Sequence, residues 1–95
     1  MKHYTLLKLV PGTDPVEVQS KIRKAYDKLD AELDWANHPV VYRTCLEANP
    51  GADIMAVIEL DGPEQLAAYA DNPHARKLWE KLQPVVSEKL TFDHY

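Results

Sequence analysis

The chain has 95 residues, 45% hydrophobic and 27% charged, with three glycines, an ordinary globular composition sufficient for one domain with a thin core that a partner subunit would complete. A net charge of −4 and an isoelectric point near 5.5 argue against a nucleic-acid binder, because phosphate contacts need clustered lysine and arginine, whereas Lys77, Lys81 and Lys89 alternate with Glu80 and Glu88. The lone Cys45 excludes an internal disulfide, and the lack of a signal peptide or long apolar run predicts a cytoplasmic protein with no membrane partner.

His3 to Val10 is rich in strand formers and closes at Pro11-Gly12. Asp14-Pro15-Val16-Glu17 then has the spacing of a capped helix start, with Asp14 as the cap and Glu17 reaching back to it. Val18, Ile22, Ala25, Leu29 and Leu33 recur at helical steps and give one apolar stripe on a helix ending near Trp35. Pro39 opens a second strand over Val40 to Leu46. Asn49-Pro50-Gly51-Ala52 is read as a type II turn, leading to a third strand over Ile54 to Leu60. Asp61 to Glu64 starts a helical region that breaks at Asn72-Pro73, where asparagine caps a new helix and proline suits its first position. The second piece buries Leu78, Trp79 and Leu82 and stops at Pro84. A last strand runs from Val85 to about Asp93.

Strand, helix, strand, strand, helices, strand is a ferredoxin-like α+β order, in which the helices pack on one face of a four-stranded antiparallel sheet. The third strand carries Ile54, Ala56, Ile58 and Leu60 on one side and Met55 and Val57 on the other, so both faces are apolar. The helices suffice for one face. The other is expected to pack sheet to sheet against a second copy in a two-fold homodimer.

The strand order places His3, Glu59, Asp93 and His94 at one edge, with Tyr69 and His74 flanking the helix break nearby. An imidazole can act as a base near neutral pH, and a phenol can donate to a carbonyl oxygen as charge develops there. Each residue also has a plainer reading: His3 as a half-buried strand residue bonded to a carboxylate, Tyr69 as an amphipathic core ring, and His74 as a solvent-facing one. Tyr26, Trp35, Tyr42 and Trp79 read as core or interface, and Cys45 as a small buried hydrophobe. No phosphate loop, dinucleotide fingerprint or nucleophile elbow is present, and Asp93-His94 lacks metal-ligand spacing, so neither cofactor nor metal is expected.

Lys2-His3, Asp53-Ile54-Met55-Ala56, Leu66 with Tyr69, Asn72-Pro73 and Leu90-Thr91-Phe92-Asp93 together resemble the stress-responsive dimeric α/β-barrel (Dabb) family. The family commonly shows tyrosine, two residues, His-Pro, one residue and a second histidine, a series that reads here Tyr69, Asn72-Pro73, His74 and Ala75. The resemblance implies a face-to-face dimer forming an eight-stranded barrel, with a pocket between sheet and helices in each subunit. One plant member is a polyketide cyclase of the olivetolic acid type; its strand-one histidine falls on His3 and its tyrosine on Tyr69, while its second histidine falls on Ala75. His74 is one residue early, a rotation of roughly 100° on a helix. The expected catalytic residues are therefore Tyr69, His3 and His74, acting without a cofactor as cyclase, lyase or isomerase on an apolar or aromatic carbonyl compound. A noncatalytic stress-associated binding or assembly protein and a cofactor-free oxygenase are the alternatives.

Overall fold

The computed structural model describes residues 1–47 and 49–95. Four strands, β1 (Lys2–Leu9), β2 (Ala36–Arg43), β3 (Ile54–Leu60) and β4 (Val86–His94), form an antiparallel sheet in the order β2-β3-β1-β4. Three helices, α1 (Pro15–Glu32), α2 (Leu66–Asp71) and α3 (Pro73–Leu82), lie on one side of it, with 3-10 turns at Pro63–Gln65 and Gln83–Val85. The fold is ferredoxin-like. No helix among the described residues is long and apolar enough to cross a membrane.

Asp14 caps α1 by accepting from Val16 N–H, as its spacing predicts. Glu17 does not reach back; its carboxylate pairs with Lys21 one turn on, at 3.2 Å. The stripe Val18, Ile22, Tyr26 and Leu29 is buried against Leu7, Ile54, Ala56, Ile58 and Leu60 from the sheet and Ala75, Leu78 and Leu82 from α3. Burial of each such aliphatic side chain stabilises the fold by about 1.5–3 kcal/mol. Tyr26 is the one hydroxyl on the stripe, and its solution is a partner on α2, described below.

Strand β2 begins and ends earlier than its sequence suggests. It pairs with β3 from Ala36, shifts register between Asn37 and Val40, and ends at Arg43. The bulge absorbs His38, at φ 53°, and Pro39, which an edge strand tolerates because no neighbour needs its missing N–H. Cys45 therefore falls beyond the strand and is exposed, not a buried hydrophobe. Gly51 is also outside the left-handed region, so the turn is not type II. Asn49 makes it instead, its side chain accepting from Gly51 N–H and donating to the Ala52 carbonyl.

On β1, His3, Thr5, Leu7 and Leu9 face the helices, and Tyr4 and Leu6 face away. Cross-strand register extends this outer face to Met55 and Val57, to Val40 and Tyr42, and to Leu90 and Phe92. Leu90 and Phe92 are 68% and 61% exposed, an uncovered apolar surface.

Candidate functional site

Helix α1 covers the β2–β3 half of the sheet, and the broken segment α2–α3 bridges the rest, leaving a cleft of about 480 Å³ above β1 and β4. His3 and Thr5 of β1 and Thr91 and Lys89 of β4 form one wall, Leu66 and Tyr69 of α2 a second, and Arg76, Trp79 and Glu80 of α3 with Gln83 just beyond it the third. The break makes this cleft. Asn72 ends α2 in extended geometry and caps α3, its Oδ1 accepting from His74 N–H at 2.9 Å, so the two helices need not share an axis.

Tyr69 and His3 meet as expected, ring centroids 5.1 Å apart at 64°. Both are buried, at 5% and 6% exposure. The Tyr69 oxygen is 2.9 Å from the Tyr26 hydroxyl and accepts from the Trp79 indole N–H at 3.3 Å. Tyr26 is fully enclosed, and the two hydroxyls share one hydrogen bond in which either can donate. When Tyr26 is the donor, the Tyr69 oxygen accepts twice and keeps its own proton for a ligand, and a hydroxyl polarised in this way is a better donor. Burial pushes both phenols above their ordinary value of 10.0; the charge of Tyr69 adds to this at Tyr26, while the bonds from Tyr26 and Trp79 oppose it at Tyr69. Both hydroxyls stay protonated at neutral pH.

His3 Nδ1 lies 2.6 Å from Asp93 Oδ1 on the neighbouring strand. In the neutral ring this contact is met by Nδ1–H donating to the carboxylate, which leaves the lone pair on Nε2. Glu59 and His94, expected at the same edge, lie on the other face: Glu59 pairs with His38 at 3.0 Å and His94 stacks on Tyr4. A strand alternates its side chains, so residues one position from a site residue are turned away from it. His74 is not in the cleft either. It points to α1, with Nε2 2.9 Å from Glu32 Oε2, and the next residue, Ala75, is the one directed inward, wholly buried.

Sequence reasoning missed the polar wall. Lys89 Nζ sits 4.0 Å from the centre of the Trp79 ring; burial lowers its pKa, while the ring face favours the charged form. Thr5 is 1% exposed, and its Oγ1, beside the Tyr26 hydroxyl, meets no partner at hydrogen-bonding geometry among the described residues. Period-two alternation puts Thr5 on the same strand face as His3, and that was the available signal.

A ferredoxin-like sheet with a cleft under a broken helix defines the class. The chain belongs to the Dabb family: the profile of the Stress responsive A/B Barrel Domain matches residues 1–95. No curated protein sequence matches it. Among solved structures, a dimeric protein of unknown function from Bacteroides fragilis is similar with TM-score 0.82 at 19% identity, over 98% of this chain and 92% of that one. An Arabidopsis thaliana protein gives 0.77 at 18% identity, over 99% and 92%. The hydroxynitrile lyase of Passiflora edulis gives 0.74 at 8% identity, over 98% and 89%. At these identities the likeness is one of fold.

Proposed function

We propose that the chain is a single Dabb domain acting in the cytoplasm as a homodimer joined through the open sheet faces, and that its cleft performs cofactor-free cyclase, lyase or isomerase chemistry on a small carbonyl compound. The observation that carries the reading is the buried Tyr69 hydroxyl, bonded to Tyr26 and Trp79, on a ring in contact with an imidazole whose Nδ1 is tied to Asp93. The dimer is supported by the uncovered apolar face and by the dimeric Bacteroides fragilis protein of the same fold.

In this mechanism His3 Nε2 takes a proton from the carbon next to the carbonyl. The C–H electron pair moves into the enolate, whose oxygen accepts from Tyr69 in a site shielded from water. The enolate carbon then attacks a second carbonyl, closing a ring, or expels a leaving group, or is reprotonated elsewhere. In each case the proton held by the imidazolium goes to the product or the leaving group, and His3 returns to its starting form. On a cyanohydrin His3 Nε2 would instead take the hydroxyl proton, the carbonyl would form as the C–CN bond breaks, and the imidazolium would return the proton to cyanide; the hydroxynitrile lyase of Passiflora edulis is a fold-level parallel for that branch.

Turnover of diketones, β-keto thioesters and cyanohydrins, followed by NMR, tests the proposal. Wild-type turnover should fall about 100-fold in Tyr69→Phe, the loss typical of a single oxyanion donor. Full turnover in a folded Tyr69→Phe would sink the assignment. A second reading, a noncatalytic stress-associated binding protein, is favoured by Ala75 standing where the family pattern has its second histidine. Saturable binding of the same panel with no conversion would select it.

A further inference from the structure

We infer that the groove between α1 and α3 binds a compact anion carrying several phosphates, either a free condensed phosphate or the phosphate arm of a nucleotide. This groove, of about 400 Å³, shares no lining residue with the cleft of His3 and Tyr69, so the inference stands apart from the chemistry proposed there. Lys21, Lys24 and Lys28 line it from α1, and Lys77 and Lys81 from α3. Within each helix these lysines recur at steps of three or four residues, which sets them in one row on one face. Along α3 alone the lysines alternate with Glu80. Packing of the two helices brings both rows to the same groove and leaves Glu80 out of its lining.

The fold does not neutralise this charge. Lys21 pairs with Glu17 at 3.2 Å, and His74, which also lines the groove, pairs with Glu32 at 2.9 Å. Lys24, Lys28, Lys77 and Lys81 have no carboxylate within ion-pairing distance among the described residues, and no acid lines the groove. Like charges one helical turn apart destabilise a helix, and a polyanion between the rows would relieve that repulsion at several points together. Shape and surroundings select a compact one. The groove's apolar lining is Ala25 and Leu78, so a nucleobase finds no aromatic ring there to stack on. The chain carries −4 with these lysines counted; the surface beyond the groove is therefore acidic and repels an extended polyanion, but not one that fits between the helices. The row from Lys21 to Lys28 rises about 10 Å, a reach that suits a short phosphate chain, and ammonium groups serve phosphate oxygens as point charges.

Calorimetric titration at low salt, without divalent cations, compares tripolyphosphate, ATP, adenosine and orthophosphate. Tripolyphosphate and ATP are expected to bind saturably and at least about tenfold tighter than orthophosphate, with adenosine not binding and affinity falling as salt rises. Lys28→Gln and Lys77→Gln should each weaken tripolyphosphate about threefold, and together about tenfold, while Lys2→Gln on the open sheet face should leave it unchanged. The substituted side chains are exposed, and melting curves check that each variant keeps the fold. Equal affinity for tripolyphosphate and ATP supports the free chain as the ligand, and tighter binding of ATP supports the nucleotide. The inference is overturned if tripolyphosphate does not saturate, if orthophosphate matches it, or if its affinity survives the paired substitution. Tighter binding of a single-stranded oligonucleotide or an oligoglutamate of equal charge also overturns it, and makes the groove a surface for a macromolecule.

Discussion

His3 and Asp93, separated by 90 positions in the chain, are joined by a 2.6 Å contact between Nδ1 and a carboxylate oxygen. Register makes this pair: His3 lies directly opposite Asp93 on the neighbouring strand, both on the face toward the helices. The carboxylate orients the ring and sets which nitrogen is basic. Asp93→Asn is therefore expected to lower turnover by at least about 100-fold, as in other His–carboxylate pairs where the amide stabilises the wrong tautomer. Asp93 is part-exposed, so thermal stability should change by less than about 1 kcal/mol. Turnover and melting of the same variant separate the two roles, and unimpaired activity would remove Asp93 from the mechanism.

His74→Ala should leave turnover unchanged. Its imidazole faces Glu32 across the α1–α3 contact and not the cleft. Both partners are solvent-accessible, so the loss in stability should be about 1 kcal/mol or less and should diminish in high salt. A large fall in turnover would return His74 to the catalytic group.

If the proposed homodimer forms through the open sheet faces, Leu90→Asp combined with Phe92→Asp should convert it to monomer in sedimentation experiments, because each places a charge on the apolar outer face. Neither side chain enters the core of its own subunit. An unaltered dimer would show that the subunits meet through another surface.

Alkaline pH offers a separate handle. Tyr26 and Tyr69 are raised in the folded state above 10.0 by burial. Their contribution to stability is fully present below that value and is lost as pH rises through the folded pKa values, because the unfolded chain releases these protons first. Tyrosinate absorbance should show Tyr26 and Tyr69 ionising only with unfolding. If both ionise before unfolding, the hydroxyl pair is not buried as described.

Tyr26→Phe tests the pair from the other side. It removes one partner of the Tyr26–Tyr69 hydrogen bond while keeping the ring, at an expected cost of about 1–2 kcal/mol in denaturant unfolding. Tyr69 then has only the Trp79 N–H to accept, so turnover should drop by less than in Tyr69→Phe. A stability equal to wild type would mean that the hydroxyls are not bonded.

Much of the architecture was legible along the chain because it is written in local rules. Apolar steps of three and four defined α1, Asn72-Pro73 located the helix break, and alternation on β3 revealed two apolar faces. The family resemblance placed His3 and Tyr69 together, and the structure brings them into ring contact. The misjudged details were those in which a single side chain or dihedral decides: the bulge at His38 moved β2, and Asn49 shaped the turn credited to Gly51.

What the sequence determined by itself was the order of elements and the apolar periodicity of α1 and β3, since both follow from neighbours a few positions away. Only the tertiary structure decided which inward residues meet. Tyr26 and Tyr69 share a proton network with Trp79 because α1, α2 and α3 converge over β1, and Lys89 reaches the same indole because β4 runs beside β1. His74 and Ala75 divide the same way: their identities are local, but one step of helical rotation sends the imidazole to Glu32 and the methyl group to the core. Side-chain direction is a property of the assembled surfaces, and the site exists only where those surfaces close around it.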